Sequence, residues 1–443
     1  MVKIKPFFDR EVRSFVKEGF SPSFGQLRES FRKEPFLERL RELGSELWLD
    51  TGSIEEAQQL WTQEFTALTT NNTLLNKEVQ TGRYDPLICR AAEMLSKYHQ
   101  LSEPDMLLEI GFICNARHAL RLVEIFDAYV SVEEHTDLAN DVKRAIDYAK
   151  RYYAICPERF VIKIPFTPAG LLATRKLSLE AIPVNHTLGF SARQNYAIAR
   201  IAKPAYVNVF LGRLNSFVAQ NELGDGSFIG EKATLASQTA IKHLREQYQV
   251  AARQIGASFR SGRQVHDLAG IDVMTMPPKV AEEFLSMRLE PQGMASETGV
   301  NYRPGLYSNV DPASLTLDTL WDINKKIIEC VDALEKENLD GFTPDDLVDF
   351  FREHNCGDLL ICWNDAQIAA STREGKIPQL HHWEDALESK SVGLDSVMNL
   401  AGLNSFATDQ KGMDQRIKDV LEKNDITIGH RVKNPSNERQ HHV

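Results

Sequence analysis

The strongest constraint on the fold is a series of eight short apolar segments, separated by stretches with helical periodicity. Amphipathic helices are predicted between several of them, over residues 137–152, 192–201 and 239–255. Alternating strands and helices indicate parallel βαβ units with right-handed crossovers. Eight such units predict an α/β protein with a (β/α)8 TIM barrel. The predicted strands are residues 47–50, 65–70, 128–133, 160–165, 182–188, 205–211, 256–259 and 271–276.

The chain of 443 residues is longer than a barrel of about 250 residues requires. We expect an N-terminal helical segment over residues 1–45, helical from 9 to 44, and the barrel over residues 46–285. A long Gly-containing loop is predicted at 215–232, after the sixth strand. A crossing loop and a packing helix should follow over 286–340, then a mostly helical C-terminal extension over 341–430, starting at Thr343-Pro344. The polar tail, 431–443, is expected to be disordered.

Composition narrows the classes of function. A net charge of −11 argues against nucleic acid or an anionic membrane as the main partner. We find no apolar run long enough to span a membrane and no apolar signal core at the N-terminus, so a cytoplasmic location is expected. The six cysteines form no CxxC pair, and neither a metal site nor a cofactor is expected. The sequence leaves the oligomeric state open, including a homo-oligomer.

One lysine interrupts the fourth apolar segment, Phe160-Val161-Ile162-Lys163-Ile164-Pro165. Burial disfavours the charged form of an amine, and a neutral amine can attack a ketone to form a Schiff base. The alternative is a lysine whose ammonium group reaches solvent from the end of a strand.

Polar side chains follow the other predicted strands as well. In this barrel class the reactive groups lie at the carboxyl ends of the strands, so these side chains should meet at one mouth. A lysine, two carboxylates and a threonine are suited to Schiff-base aldol chemistry, and two arginines would suit a phosphate. The candidates are Asp50, Asn71, Glu133, Asn185, Thr187, Asn208, Phe210, Arg213, Ser258 and Arg260.

Each candidate also has a purely structural interpretation. Asp50, or the serine after it, could cap the following helix. Glu133 could be a solvated loop acid, and Asn185 and Thr187 could be ordinary strand residues. Arg213 and Arg260 could form surface salt bridges. It is the joint position at successive strand ends that favours a site.

Seven short motifs follow one another over roughly residues 45–285. They are Asp50-Thr51-Gly52, Thr69-Thr70-Asn71, Val130-Ser131-Val132-Glu133, Ile162-Lys163-Ile164-Pro165, Asn185-His186-Thr187-Leu188 with Phe190-Ser191, Phe210-Leu211-Gly212-Arg213 and Gly256-Ala257-Ser258-Phe259-Arg260. In this order they resemble the motifs of the transaldolase family, and the lysine strand is similar to the Schiff-base strand of that family.

The resemblance implies an activity and a role for each residue. It implies transfer of a dihydroxyacetone unit between sugar phosphates, as in the pentose phosphate pathway, without metal. Lys163 would form the imine, and Glu133 with Thr187 would hold the water that moves protons at the imine. Asp50 would be the acid/base for carbon–carbon cleavage. Other roles are implied for binding: Asn71 and Asn185 for the donor hydroxyls, and Arg213, Ser258 and Arg260 for the phosphate.

Three positions bear on the exact activity. The related fructose 6-phosphate aldolases typically have Gln in place of Glu133 and Tyr in place of Phe210, so both residues favour a transferase. Asn208 replaces the usual serine near the terminal hydroxyl of the donor. Two alternatives therefore stay open: a Schiff-base aldolase or transaldolase acting on another sugar donor, and a non-catalytic barrel used for binding.

Overall fold

A computed structural model describes residues 6–98, 101–287 and 289–428. Eight parallel strands close a barrel in sequential order, from β1 beside β2 round to β8 beside β1. The (β/α)8 TIM barrel is confirmed. The predicted disordered tail, 431–443, lies outside the described residues. The strands are β1 (Glu46–Asp50), β2 (Phe65–Thr69), β3 (Tyr129–Glu133), β4 (Phe160–Pro165), β5 (Val184–Thr187), β6 (Tyr206–Phe210), β7 (Arg253–Ala257) and β8 (Val273–Met276).

Helices precede the barrel and connect its strands. Both N-terminal helices come before β1, and three helices lie between β2 and β3. The helices up to the end of the barrel are α1 (Pro6–Lys17), α2 (Pro35–Glu42), α3 (Ile54–Leu60), α4 (Asn72–Gln80), α5 (Asp85–Leu95), α6 (Glu103–Phe126), α7 (Val142–Ile155), α8 (Pro168–Leu179), α9 (Ala192–Ile201), α10 (Leu211–Gln220), α11 (Ile229–Tyr248), α12 (Gly262–Asp267) and α13 (Pro278–Ser286).

A helical extension follows the barrel, in agreement with the prediction. Its first long helix after the crossing segment packs beside α9, and its last helix packs against α4, α5 and α6. Among the described residues, we find no helix with the length and apolar character needed to cross a membrane. The helices of the extension are α14 (Lys325–Leu334), α15 (Pro344–Glu353), α16 (Asp365–Glu374), α17 (Glu384–Glu388) and α18 (Leu394–Lys423).

The start of α15 matches the sequence signal. The Thr343 hydroxyl accepts a hydrogen bond from the Asp346 amide, and the Asp346 carboxylate accepts one from the Thr343 amide. This capping box satisfies backbone donors that the first turn of a helix leaves free.

Nearly every residue of the barrel strands is buried, and burial of their apolar side chains stabilises the strands. All six residues of β4 are buried, which requires the mostly apolar run that made this strand easy to predict. Register then sets the neighbours of the lysine, because Lys163 pairs with Glu133 on β3 and with Asn185 on β5. The carboxyl ends of three adjacent strands thus bring an amine, an acid and an amide together.

The seventh strand lies earlier than predicted. It spans Arg253–Ala257, whereas the apolar pattern predicts residues 256–259. Ser258 has φ of +64°, a left-handed conformation that ends the strand before the serine. The start was missed because Gln254 is polar yet buried, where its side-chain oxygen accepts hydrogen bonds from Ser237 and Asn195.

Two other predictions are corrected. Residues 9–44 do not form one helical stretch, since α1 ends at Lys17 and Gly19 follows with φ of +81°. The loop predicted at 215–232 is present but shorter, at 221–228, because α10 continues to Gln220 and α11 begins at Ile229. Gly230 is needed inside α11, since a Cβ there would lie 2.1 Å from the Leu211 carbonyl oxygen.

The extension is fastened to the barrel by a buried arginine. Arg193 on α9 donates two hydrogen bonds to Asp395 at the start of α18, from Nε at 2.8 Å and Nη2 at 2.7 Å. Its Nη1 atom bonds Asp358 at 2.7 Å. Ser191 also donates to Asp395, at 2.6 Å. These contacts hold the start of α18 against the barrel helix α9.

Candidate active site

A cavity of about 200 Å³ lies at the carboxyl ends of the barrel strands. It brings together all the side chains that the sequence predicts, with one difference in position. Glu133 lies behind the lysine, bonded to it, while the others line the cavity: Asp50, Asn71, Lys163, Asn185, Thr187, Asn208, Phe210, Arg213, Ser258 and Arg260.

Lys163 lies at the inner end of this cavity and is 4% exposed. Its Nζ atom donates to the Thr70 carbonyl oxygen at 3.1 Å and to Glu133 Oε2 at 3.3 Å. The alternative in which the lysine reaches solvent is therefore wrong. Among the described residues two acceptors hold the amine, and an ammonium group has three donors, so it keeps bonding capacity toward the cavity.

Two buried carboxyl groups accompany the lysine. Asp50 accepts a hydrogen bond from the Thr69 hydroxyl at 2.7 Å, whereas Ser53 caps α3. Burial raises the pKa of both Asp50 and Glu133, and the positive charge of Lys163 opposes that rise. A carboxyl group with a raised pKa can exchange protons closer to neutral pH than an exposed one. The interpretations of Asp50 as a helix cap and of Glu133 as a solvated acid are wrong.

An amide network occupies the side of the cavity formed by β5 and β6. Asn208 Nδ2 donates to Asn185 Oδ1 at 3.0 Å and to the His186 carbonyl oxygen at 3.1 Å. Asn185 Nδ2 donates in turn to the Ser131 hydroxyl at 3.0 Å. Within the described residues, the buried oxygens of the Asn208 amide and the Thr187 hydroxyl have no hydrogen-bond partner. A buried oxygen left in this state favours a ligand or water that can donate to it.

Asn71 and Phe210 combine a structural contact with a place at the cavity. Asn71 Oδ1 caps α4 by accepting from the Leu74 amide at 2.9 Å, which leaves the NH2 group of Asn71 for a ligand. The Phe210 ring packs on Phe190, with ring centroids 5.7 Å apart. Both side chains are thus held in place before any ligand enters.

Two positively charged side chains, Arg213 and Arg260, line the cavity. Arg213 is buried and Arg260 is exposed, and neither has a carboxylate within 4 Å in the described part of the chain. Burial and the neighbouring Arg260 lower the pKa of Arg213 to about 10. The Arg260 amide is fixed by Gln264 Oε1 at 2.7 Å. Two guanidinium groups without carboxylate partners in the described part of the chain have the charge and the directional donors that suit an anion such as phosphate.

Sequence patterns did not mark several side chains at this cavity, among them two threonines of the βα units and two residues of the extension. Thr275 on β8 lies 2.6 Å from Thr69 between their hydroxyl oxygens, and Thr73 lies on α4. Phe406 and Lys376 come from the extension. The Phe406 ring centroid is 5.7 Å from Lys163 Nζ and 5.5 Å from Arg213 Cζ. No local pattern marks Phe406 and Lys376, because only the path of the extension brings them to the barrel.

The comparisons with known proteins agree with this geometry. The family model described as transaldolase/fructose-6-phosphate aldolase matches residues 47–347, about two thirds of the chain. A transaldolase of Xanthomonas euvesicatoria is 31% identical over 255 residues, covering 56% of this chain and 77% of the relative. A transaldolase of Protochlamydia amoebophila is 28% identical over 242 residues, covering 53% of this chain and 73% of the relative. A transaldolase of the yeast Kluyveromyces lactis is 28% identical over 273 residues, covering 58% and 78%.

The chain therefore belongs to the transaldolase/fructose-6-phosphate aldolase family. It is an enzyme of the transaldolase type, in the class of transferases that move aldehyde or ketone residues. The part of the extension after residue 347, which supplies Phe406 and Lys376 to the cavity, lies beyond the matched region.

Proposed function

We propose that the chain transfers a dihydroxyacetone unit from a ketose phosphate, such as fructose 6-phosphate, to an aldose phosphate through an imine on Lys163. The observation that carries this proposal is the buried Lys163 amine, held between Glu133 and the Thr70 carbonyl oxygen at the inner end of the cavity. A metal is not needed for such a reaction, because a protonated imine withdraws electrons from the adjacent carbon.

Imine formation begins when the Lys163 nitrogen adds to the C2 carbonyl carbon of the donor. The resulting carbinolamine loses its hydroxyl as water, which needs a proton delivered to that oxygen. Glu133 lies beside Nζ, which supports this role, and Thr187 offers a hydroxyl at the same cavity that has no partner among the described residues. Because burial raises the pKa of Glu133, the carboxyl group can hold and release the proton near neutral pH.

Carbon–carbon cleavage needs a base on the other side of the donor. Asp50 would accept the proton of the C4 hydroxyl as the C3–C4 bond breaks, and the bonding electrons move into the protonated imine. An aldose phosphate leaves, and a three-carbon enamine remains on Lys163. Addition of this enamine to the aldehyde carbon of the acceptor, with return of the proton, followed by hydrolysis of the imine, completes the transfer.

Phosphate recognition falls to the cationic end of the cavity. Arg213 and Arg260 lack carboxylate partners in the described part of the chain, and Ser258 lines the same wall. A bound phosphate would fix the distance between the anion and the carbon that Lys163 attacks. The substrates are therefore proposed to be sugar phosphates on both sides of the reaction.

A second candidate is a Schiff-base transfer or cleavage with a different sugar donor. It is favoured by Asn208, because both N–H groups of this amide are engaged and, among the described residues, its oxygen has no hydrogen-bond partner. A side chain that only accepts selects a donor hydroxyl and fills more space than serine. A panel of ketoses in the transfer assay separates this candidate from the first.

The transfer assay itself uses fructose 6-phosphate labelled with ¹³C at C1 and unlabelled erythrose 4-phosphate, followed by mass spectrometry of the products. We expect labelled sedoheptulose 7-phosphate and unlabelled glyceraldehyde 3-phosphate, and no labelled product with a Lys163→Ala control. Release of labelled free dihydroxyacetone instead would identify an aldolase. Absence of turnover with the whole ketose panel would contradict the proposal.

A further inference from the structure

A third cation lies at the mouth of the cavity and comes from the part of the chain beyond the family match. Lys376 follows α16 and lines the same cavity as Arg213 and Arg260. Its side chain is exposed, and none of the described carboxylates lies within salt-bridge distance of it. A lysine at a cavity rim with no acidic partner is available to an anionic ligand.

The loop that carries Lys376 is fixed to the barrel. Asn221, at the end of α10, donates from Nδ2 to the Pro378 carbonyl oxygen at 3.0 Å. The same side chain accepts from the Leu380 amide through Oδ1 at 2.7 Å. Because α10 also carries Arg213, the clamp ties the loop of Lys376 to the βα unit that presents the buried arginine.

A buried carboxylate secures the loop from its other side. The Glu374 side chain is 2% exposed and accepts hydrogen bonds from His382 Nδ1 at 2.6 Å and Trp383 Nε1 at 3.0 Å. It also accepts from the Gln379 amide at 3.1 Å. Gly375, with φ of +80°, turns the chain between Glu374 and Lys376. Lys376 thus lies on a turn whose neighbouring residues are held by hydrogen bonds.

We propose that Lys376 binds the phosphate group of the sugar substrate together with Arg213 and Arg260, so that three cations recognise the phosphate. This inference rests on the proposed function, which supplies the sugar phosphate, and it extends that site into the C-terminal extension. The two arginines provide planar, directional donors, whereas the lysine adds a compact charge that adapts to the position of the anion. Lys376 therefore sets the preference for phosphorylated over phosphate-free sugars.

The test is titration of the enzyme with inorganic phosphate by calorimetry, comparing wild type with Lys376→Ala, Lys376→Arg and a matched control, Lys242→Ala. Lys242 is an exposed lysine on α11 that does not line the cavity. We expect Lys376→Ala to raise the Kd for phosphate roughly 5- to 20-fold, as expected for loss of one charge-assisted contact. Lys376→Arg should restore most of the affinity, and Lys242→Ala should bind like wild type.

A second readout uses the transfer reaction. The ratio of kcat/KM for fructose 6-phosphate to kcat/KM for fructose should fall in Lys376→Ala by about the same factor as phosphate affinity. Equal Kd values for phosphate in wild type and Lys376→Ala would overturn the inference, as would a wild type that does not bind phosphate. Failure of the wild type in the transfer assay, with phosphate binding still dependent on Lys376, would instead count against the proposed function alone.

Discussion

At the scale of single residues, the site combines a buried amine with two buried acids, and a third buried acid follows one of them in the sequence. Asp50 and Glu133 both have pKa values raised by burial and both feel the charge of Lys163. The next residue, Glu134, is also buried, and among the described residues its Oε1 atom has no hydrogen-bond partner. Burial raises the pKa of Glu134 well above its ordinary value near 4.5.

The raised pKa of the buried Glu134 carboxyl group predicts that the stability of the protein depends on pH. A raised pKa in the folded state means that folding takes up a proton, so stability is greatest below the unfolded pKa and falls as pH rises. Above about pH 4.5 the free energy of unfolding of the wild type should fall, relative to that of Glu134→Gln, by up to ~1.4 kcal/mol per pH unit. The fall ends where the carboxyl group ionises in the folded state. Urea unfolding of both proteins across a pH series measures this. Parallel stability curves would contradict it.

Phe406 allows a test of the contact between the extension and Lys163. Its ring lies within 6 Å of both Lys163 Nζ and Arg213 Cζ, measured from the ring centroid. Phe406→Leu keeps most of the buried volume and removes the aromatic face, so we expect a loss in kcat/KM of roughly 3- to 10-fold with little change in Tm. Steady-state kinetics and thermal unfolding give both quantities, and unchanged kcat/KM would show that the ring has no influence on the site.

At the scale of elements, the position of α18 depends on a close approach to the barrel. A Cβ at Gly402 would lie 2.9 Å from Leu188 Cδ2 and 3.3 Å from Arg213 Nη1. On the same helix, a Cβ at Gly412 would meet Asn76 Nδ2 at 3.1 Å, the far end of a flexible side chain. The two glycines therefore form a matched pair.

Alanine substitutions at Gly412 and Gly402 should have different effects on stability and on substrate binding. Alanine favours a helix over glycine by about 1 kcal/mol, so Gly412→Ala should be neutral or stabilising. Gly402→Ala should forfeit this gain, because Leu188 and Arg213 must shift, and its KM for phosphorylated substrates should rise roughly 3- to 10-fold. Denaturant unfolding and steady-state kinetics measure both effects. Equal behaviour of the two variants would rule out the close approach as a determinant of the arginine position.

The elements also show what sequence patterns can and cannot predict. Strand β4 is predicted to the residue because its apolar run is buried throughout. Strand β7 is displaced in the prediction, because a buried Gln254 satisfied by Ser237 resembles a surface residue and the left-handed Ser258 looks like part of the strand. The side chains that meet at the cavity could be predicted because barrel topology brings successive strand ends together. The places of Phe406 and Lys376 at the cavity could not be predicted. They depend on tertiary contacts with residues that lie more than a hundred positions earlier in the chain.

At the scale of the whole molecule, barrel and extension form one connected structure. The buried Arg193 joins α9 to Asp395 and Asp358, and both Arg193 and Asp395 are almost fully buried. Removing one member of such a cluster leaves an unpaired buried charge, which costs far more than loss of a surface pair.

Arg193→Ala should therefore reduce the free energy of unfolding by about 3–5 kcal/mol. The matched control is Arg352→Ala, whose arginine pairs with Asp349 at an exposed i,i+3 position of α15. This control should change stability by less than about 0.5 kcal/mol. Chemical denaturation of both variants tests the difference, and a loss below 1 kcal/mol for Arg193→Ala would mean that α18 is held by other contacts.

The proposed transfer depends on an imine between Lys163 and the donor sugar. The most direct measurement is the intact mass of the enzyme after incubation with fructose 6-phosphate and borohydride, followed by peptide mapping. We predict one adduct with the mass of dihydroxyacetone less one water plus two hydrogens, located on Lys163 and missing in a folded Lys163→Ala variant. An adduct on another lysine, or none with any ketose tested on folded enzyme, would contradict the claim.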